Sequence, residues 1–313
     1  MRRHFVHFLW GSLLAILGLV FVFFISVWNG WVGYMPNMDE LSNPIDKFAS
    51  QVYSSDQQLI GTWNADNNNR VAIDYNGLSP HLVHALVATE DERFYEHSGV
   101  DFIALGRAVV KRGVMGQASA GGGSTITQQL AKQLFSEKAH STVERLLQKP
   151  IEWIIAVKLE RYFTKEEILA MYFNYFDFLH NAVGIKRAAN VYFNKEPRKL
   201  TVTESAMLVG LCKNPSMFNP LRHPERCLQR RNVVLMQMVK SGYVTKDEYK
   251  ELSQRPLGLH FTRSKPVSGA GDYFQAFLRQ YMMAKKPERE NYQSWQNRQF
   301  VLDSIAWEQD PLY

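Results

Sequence analysis

Carboxylates are concentrated in residues 88–101, which read ATEDERFYEHSGVD. A carboxylate at the edge of an apolar surface can serve as a general base, because partial desolvation makes it a better proton acceptor. Glu90 fits this description, since it continues the apolar face of two leucines that precede it at helical spacing. The alternative is an acidic helix end with solvated charges, and we prefer that interpretation for Glu92 and Glu96.

A second stretch, residues 121–132, carries polar side chains directly after three glycines and reads GGGSTITQQLAK. Glycine lets the backbone approach a ligand closely, and the hydroxyls, amides and lysine that follow can grip sugar hydroxyls and phosphate oxygens. Taken alone, the same pattern equally indicates a capped helix that begins after a loop. The candidate binding residues of this stretch are Ser124, Thr125, Gln128, Gln129 and Lys132.

A third group of charged residues lies within a helix-period pattern that runs from 143 to 163. Lys149 and Glu152 are three positions apart, and Arg145 precedes Lys149 by about one turn. Cations on one helix face can bind an anionic group. The alternative for Glu152 is a solvated charge on an amphipathic helix.

The histidines indicate a metal site only weakly. His81 and His84 are three positions apart and could chelate a metal on a helix, and His97 is a further candidate ligand. No cysteine or further histidine follows at a suitable spacing. We therefore expect structural hydrogen bonding for His97 and surface positions for the other two.

These blocks, in this order, resemble the signature motifs of the peptidoglycan glycosyltransferases (glycosyltransferase family 51), found in class A penicillin-binding proteins and in monofunctional enzymes. The resemblance spans roughly residues 53–246. It implies a mainly α-helical, lysozyme-like domain in which Glu90 is the general base and Glu152 the second catalytic carboxylate. It assigns substrate binding to Ser124, Thr125, Gln128, Gln129, Lys132, Arg145, Lys149 and Asn174. It assigns supporting positions to Asp91, Phe94, His97, Gly99 and Asp101.

Two places depart from the family pattern. Gln148 stands where the family usually has arginine, and we expect Arg145, on the same helix face, to compensate for the missing charge. Residues 178–181 read FLHN where the family usually has a Phe-Gly-x-Gly turn. Because the backbone freedom of glycine is lost there, we expect a differently shaped loop.

Residues 5–28 contain no Asp, Glu, Lys or Arg, and a helix of this length rises about 36 Å, enough to cross a bilayer. Arginines at 2 and 3 precede it, so the positive-inside rule places residues 1–4 in the cytoplasm and the residues after Trp28 outside. A cleaved signal peptide is the alternative, but the stretch is too long and no A-x-A-like site follows. The apolar segment 102–115, with its basic residues, is too short to span, and we expect it to lie at the membrane interface rather than in the core.

The rest of the chain divides by pattern. Residues 29–76 are expected to form a linker with a small β-hairpin, and residues 77–252 the helical glycosyltransferase domain. Residues 253–313 form an extension, which we interpret as a linker to a transpeptidase domain beyond this sequence. The sequence itself contains neither Ser-x-x-Lys nor Lys-Thr-Gly, the motifs of a transpeptidase site.

The net charge indicates which partners suit the chain, and the two cysteines bear on whether a disulfide forms. A net charge of +6 and an isoelectric point near 9.1 suit anionic lipid head groups and diphosphates. Nucleic acid is excluded as a partner by the extracytoplasmic position. Cys212 and Cys227 lie in helical patterns, so two free thiols are favoured over a disulfide.

The resemblance implies an enzyme of the bacterial inner membrane that polymerises lipid II onto a nascent glycan chain with inversion and release of undecaprenyl diphosphate. A divalent cation, Mg²⁺, is expected to help neutralise the diphosphate, with Glu152 as its candidate protein ligand. Membrane lipids and cell-wall synthesis proteins are the expected partners. Two alternatives stay open at this point: a lysozyme-like lytic enzyme that cleaves the same glycan, and an inactive membrane-tethered scaffold.

Overall fold

The structure is a computed structural model that describes residues 2–31, 34–37, 41, 50–53, 55, 59–63, 71–110, 123–136 and 142–262. The expected mainly helical fold is confirmed. The helices are α1 (Arg2–Trp28), α2 (Pro80–Glu90), α3 (Phe102–Val109), α4 (Ile126–Phe135), α5 (Thr142–Tyr162), α6 (Lys165–Tyr175), α7 (Ile185–Phe193), α8 (Val202–Lys213), α9 (Pro224–Lys240) and α10 (Lys246–Gln254).

Helix α1 is apolar around its whole circumference, and Val6–Trp28 is long and apolar enough to cross a membrane. Its last turns contact α5. The Phe24 ring stacks on Trp153 with centroids 6.4 Å apart, and Lys158 Nζ lies 4.9 Å from the ring centroid of Trp28. The helix that carries Lys149 and Glu152 is therefore the one that packs against the end of α1.

Two strands, β1 (Ser50–Tyr53) and β2 (Leu59–Trp63), pair antiparallel with a bulge at Val52/Tyr53. They match the strand-turn-strand pattern expected in the linker. They belong to a compact unit (47–69 and 263–313) distinct from the helical one (1–46 and 70–262). The domain boundaries at 77 and 252 stay predictions, and residues 263–313 lie outside the described part of the chain.

Short-range capping explains where several helices begin. Thr164 and Thr201 each accept from the backbone N–H three residues on, while the glutamate at that position reaches back to the cap, as their spacing predicts. Ser79 precedes a proline in the first turn of α2 but makes no cap bond. Its hydroxyl instead donates to Leu200 O at 2.9 Å, which ties α2 to the segment before α8.

Two groups of packed helices build the core. Helices α2, α8 and α9 contact one another, and α4 packs against α5 and α6. Arg231 of α9 is fully buried and donates to the carbonyls of Leu252, Ser253 and Pro256, which fixes the chain after α10 to this core. Cys212 and Cys227 are both buried free thiols, as expected.

The loop between α6 and α7 adopts left-handed backbone at three consecutive residues without glycine. Leu179, His180 and Asn181 have φ of 67°, 53° and 58°. Such a conformation costs an ordinary L-residue about 1–2 kcal/mol, so the loop must be held from outside. The Tyr192 hydroxyl donates to Phe178 O at 2.6 Å, and the His180 ring lies within hydrogen-bond distance of the Asn219 amide. The loop thus reaches left-handed backbone without glycine, and its expected difference in shape from the family's turn stays a prediction.

Candidate active site

Glu90 is the last residue of α2, and its side chain is only 17 % exposed. Both carboxylate oxygens are engaged. Gln129 Nε2 donates to Oε2 at 3.0 Å, and an Arg230 terminal nitrogen lies 3.4 Å from Oε1. A carboxylate held in this way keeps one orientation, while its remaining exposure leaves room for a substrate hydroxyl.

The Gln129 amide is itself oriented by a neighbour. The Tyr172 hydroxyl donates to Gln129 Oε1 at 3.0 Å, so the Nε2 group must face Glu90. Tyr172 is completely buried, and burial raises its pKa well above the usual value, which keeps the hydroxyl a donor. Burial also raises the pKa of the adjacent Cys212 thiol, so this thiol stays neutral beside the carboxylate.

Asp91 connects the first block to the second. Its Oδ2 accepts from the Ile126 backbone N–H at 3.0 Å, in the first turn of α4, and His97 Nε2 lies 3.1 Å from both carboxylate oxygens. A carboxylate at a helix N-terminus is favoured by the helix dipole. Asp91 therefore fixes α4, which carries Gln129, against the end of α2.

Within the described ranges, no group of three or more His, Cys, Asp or Glu side chains could hold a metal ion. His97 makes a hydrogen bond to Asp91, in agreement with the structural role expected for it, and its buried Nδ1 has no partner among the described residues. His84 stacks on the Tyr243 ring with centroids 4.1 Å apart, while His81 is exposed.

The other residues of the first block shape the chain between α2 and α3. Asp101 caps α3 by accepting from the N–H groups of Ile103 and Ala104 at 2.9 Å, and Arg93 lies 3.2 Å from it. Phe94 is buried beneath Lys165, whose Nζ lies 4.2 Å from the ring centroid. Two acidic residues for which we preferred solvated positions, Glu92 and Glu96, are exposed.

In the second block, Thr125 and Gln128 form a capping box at the start of α4, and both are buried. The Thr125 hydroxyl also donates to Gly99 O at 2.6 Å. Substrate contact by these two side chains stays a prediction, but both are already engaged in holding the helix start. Ser124 is partly exposed and Lys132 is exposed, so both are accessible to a ligand. The first two glycines of the block lie outside the described residues.

In the third block, Glu152 is 2 % exposed and forms an ion pair with Lys149. The alternative of a solvated charge for Glu152 is therefore wrong. Lys149 keeps 40 % of its side chain exposed, and Arg145 is exposed one turn earlier on α5. The buried carboxylate orients Lys149, while the exposed fraction of the lysine can meet an anionic ligand.

Asn174 of α6, a predicted substrate contact, is engaged with the backbone. Its Nδ2 donates to Ile73 O at 2.8 Å, and its Oδ1 accepts from Ile73 N at 3.2 Å. It is 4 % exposed. In this structure Asn174 fixes Ile73 against α6, and its contact with substrate stays a prediction.

Sequence reasoning did not assign Arg230 to this site. It lies 140 positions from Glu90, so no local pattern connects the two. Tyr172 was not assigned to the site either. Its fixed spacing from Asn174 on α6 carried no indication that it reaches Gln129.

Comparisons with known proteins bear on this arrangement. A family model described as "Transglycosylase" matches residues 56–239. Penicillin-binding protein 1A of Aquifex aeolicus is 37 % identical over 279 residues, which are 88 % of this chain and 37 % of that protein. Penicillin-binding protein 1A of Escherichia coli is 36 % identical over 248 residues, 79 % of this chain and 28 % of that protein. The chain thus spans well under half the length of these relatives.

A crystal structure of penicillin-binding protein 1A from Haemophilus influenzae aligns with a TM-score of 0.38 and 23 % identity. The alignment covers 79 % of this chain and 26 % of that one.

Proposed function

Because the chain belongs to the transglycosylase family, we propose that it is a peptidoglycan glycosyltransferase that polymerises lipid II into β-1,4-linked glycan strands. The matched residues 56–239 include every candidate site residue, and both carboxylates lie among them. The single observation that carries the proposal is Glu90, partly exposed and held through both oxygens. The relatives of this chain bear the name penicillin-binding protein 1A, which supports a role for the chain in cell-wall synthesis.

In the proposed reaction, the 4-hydroxyl oxygen of a lipid II sugar attacks the anomeric carbon of the growing chain. Glu90 takes the hydroxyl proton as the new C–O bond forms. The bond from the anomeric carbon to the diphosphate oxygen breaks on the opposite face, so the configuration inverts and undecaprenyl diphosphate leaves.

The leaving diphosphate needs positive charge, and this chain supplies it from exposed cations. Lys149 is oriented by the buried Glu152, and Lys132 and Arg145 are exposed on neighbouring helices α4 and α5. Such cations stabilise the negative charge that develops on the diphosphate.

The residues of this chain suit a divalent cation that is bound jointly by the protein and by the diphosphate of the substrate. Glu152 is the one candidate carboxylate ligand, and Mg²⁺ is commonly bound by one or two carboxylates together with phosphate oxygens. When bound, the cation would neutralise part of the diphosphate charge. Glu152 already pairs with Lys149, so we expect the diphosphate to provide most of the ligands.

We place the protein in the bacterial inner membrane, anchored by α1, with the helical domain on the extracytoplasmic side. The apolar Val6–Trp28 supports the anchor. Helix α3 exposes Phe102 and Ile103, 71 % and 65 % exposed, which suits contact with the membrane that holds the lipid tail of the substrate. Other cell-wall synthesis proteins are proposed as partners.

The test is to incubate the purified full chain in detergent with lipid II and Mg²⁺ and to size the product. Long glycan supports the proposal, cleavage of preformed glycan strands in a parallel incubation indicates a lytic enzyme, and absence of both activities indicates a scaffold. Glu90→Gln is expected to lower the rate by at least about a hundredfold, the size of a general-base contribution, and to keep lipid II binding. Glu92→Gln, a change at an exposed neighbour, is the matched control and should polymerise normally.

A further inference from the structure

Arg230 is a buried cation that the catalytic scheme above uses only as a contact of Glu90. Its side chain is 10 % exposed, and a terminal nitrogen lies 3.4 Å from Glu90 Oε1. The guanidinium also lies 5.9 Å from the ring centroid of Phe218, and its buried Nε has no partner among the described residues. Glu90 is the one acidic partner recorded for it in the described part of the chain.

A buried charge is costly unless it is paired, and an arginine cannot escape by losing its proton. Burial lowers the pKa of Arg230, and the nearby Glu90 carboxylate opposes that shift. The pairing works in both directions. For Glu90, a permanent cation beside Oε1 supplies a charge-assisted contact that holds this oxygen in one position.

The second oxygen of Glu90 is fixed by a chain of two hydrogen bonds. Tyr172 donates to Gln129 Oε1, and Gln129 Nε2 then donates to Glu90 Oε2, each at 3.0 Å. Without the tyrosine hydroxyl, the amide of Gln129 could turn and present its oxygen to the carboxylate. Two oxygens are therefore held by two different supports, a cation from α9 and an oriented amide from α4.

We propose that Arg230 and Tyr172 are positioning residues of the reaction, Arg230 by holding Oε1 of Glu90 in place and Tyr172 by setting the Gln129 amide. This inference rests on the proposed function, because it concerns the carboxylate that accepts the proton. Neither side chain needs to touch the substrate. Their loss should therefore lower kcat and leave KM for lipid II nearly unchanged.

The central experiment compares Arg230→Ala with wild type in polymerisation of lipid II by the full chain. Hydrogen bonds to charged groups predict a loss in kcat of about ten- to a hundredfold. Low-millimolar guanidinium chloride should restore part of this loss by entering the enclosed space left by the side chain. Urea of equal concentration with added sodium chloride is the control, because urea has nearly the same shape but no charge.

Three further variants separate positioning from folding. Arg230→Lys keeps the charge and should retain more activity than Arg230→Ala. Tyr172→Phe should lower kcat by about tenfold and be insensitive to guanidinium. Arg226→Ala removes an exposed arginine of the same helix and should behave as wild type. Lipid II binding and thermal melting of each variant show whether the fold is kept.

The inference is overturned if Arg230→Ala polymerises within twofold of wild type, if its loss lies wholly in KM, or if urea restores activity as well as guanidinium does. Equal activity of wild type and Tyr172→Phe overturns the part that concerns the Gln129 amide. These outcomes leave the proposed function standing. That function fails separately if wild type makes no glycan or if Glu90→Gln polymerises normally.

Discussion

Gly99 provides the sharpest test of how the two carboxylate-bearing segments are held together. It has φ +94°, and a Cβ placed there would lie 2.8 Å from the carbonyl carbon and oxygen of Ala156 and 2.9 Å from Val157 N. These atoms belong to the backbone of α5, which cannot relieve the clash by a side-chain rotation. We therefore expect Gly99→Ala to destabilise the protein strongly.

The magnitude follows from two contributions. Left-handed backbone costs a residue with a Cβ about 1–2 kcal/mol, and overpacking against a rigid neighbour costs about 1–3 kcal/mol. The expected loss in the free energy of unfolding is therefore about 2–5 kcal/mol. Since Ala156 lies one turn after Glu152, and Gly99 O accepts from Thr125, the displaced backbone should also disturb α5 and the start of α4 and reduce polymerisation.

Two glycines of the same chain serve as controls. Gly242 has φ +77° and Gly106 is helical, and a Cβ at either position would meet no atom within 4 Å. Gly242→Ala should show only the conformational cost of about 1–2 kcal/mol, and Gly106→Ala should be neutral or stabilise by up to about 1 kcal/mol.

The assay is urea unfolding of the full chain in a mild detergent, followed by far-ultraviolet circular dichroism. With a slope of about 2 kcal/mol/M, the midpoint of Gly99→Ala should fall by at least about 1 M. A midpoint for Gly99→Ala that matches the midpoint for Gly242→Ala would refute the close approach to α5, because only the conformational cost would then be present.

Three other predictions concern Asn174, the exposed apolar residues of α3, and Lys149. Asn174→Ala removes both hydrogen bonds to the Ile73 backbone and should lower the free energy of unfolding by about 1–3 kcal/mol in the same urea assay; an unchanged midpoint would contradict the anchoring role. Replacing Phe102 and Ile103 together by serine should weaken binding to anionic vesicles of a version lacking residues 1–28, because both side chains are exposed apolar surface; unchanged binding would refute interfacial contact. Lys149→Met should lower kcat for polymerisation by about tenfold or more, since it removes a cation and leaves its buried carboxylate partner unpaired, whereas arginine at this position should retain more activity; equal rates for wild type and the methionine variant would remove this lysine from the leaving-group role.

Local features of the fold could be predicted from the sequence because they depend on neighbours along the chain. The capping spacing of Thr164 and of Thr201 placed the starts of α6 and α8, and the bounds of α9 follow its apolar period from Pro224 to Lys240. The charge-free stretch after the first residues indicated α1. In each case the interacting groups lie within a few residues of one another.

The sequence motifs also identified Glu90 and Glu152 as the carboxylates of interest, but not their surroundings. Spacing on a helix cannot say which face another helix will cover. For this reason only the structure shows that Glu152 is buried and orients Lys149. It also shows that Asn174 binds the backbone of residue 73.

What the sequence determined by itself was the set of local elements and the chemical types available, because capping, periodicity and motif order are properties of short segments. The tertiary structure alone decided that an arginine 140 positions away faces Glu90 and that a tyrosine of α6 sets the amide on its other side. Those contacts depend on how α2, α4, α6 and α9 pack, and packing minimises exposed apolar surface over the whole domain rather than within any one segment.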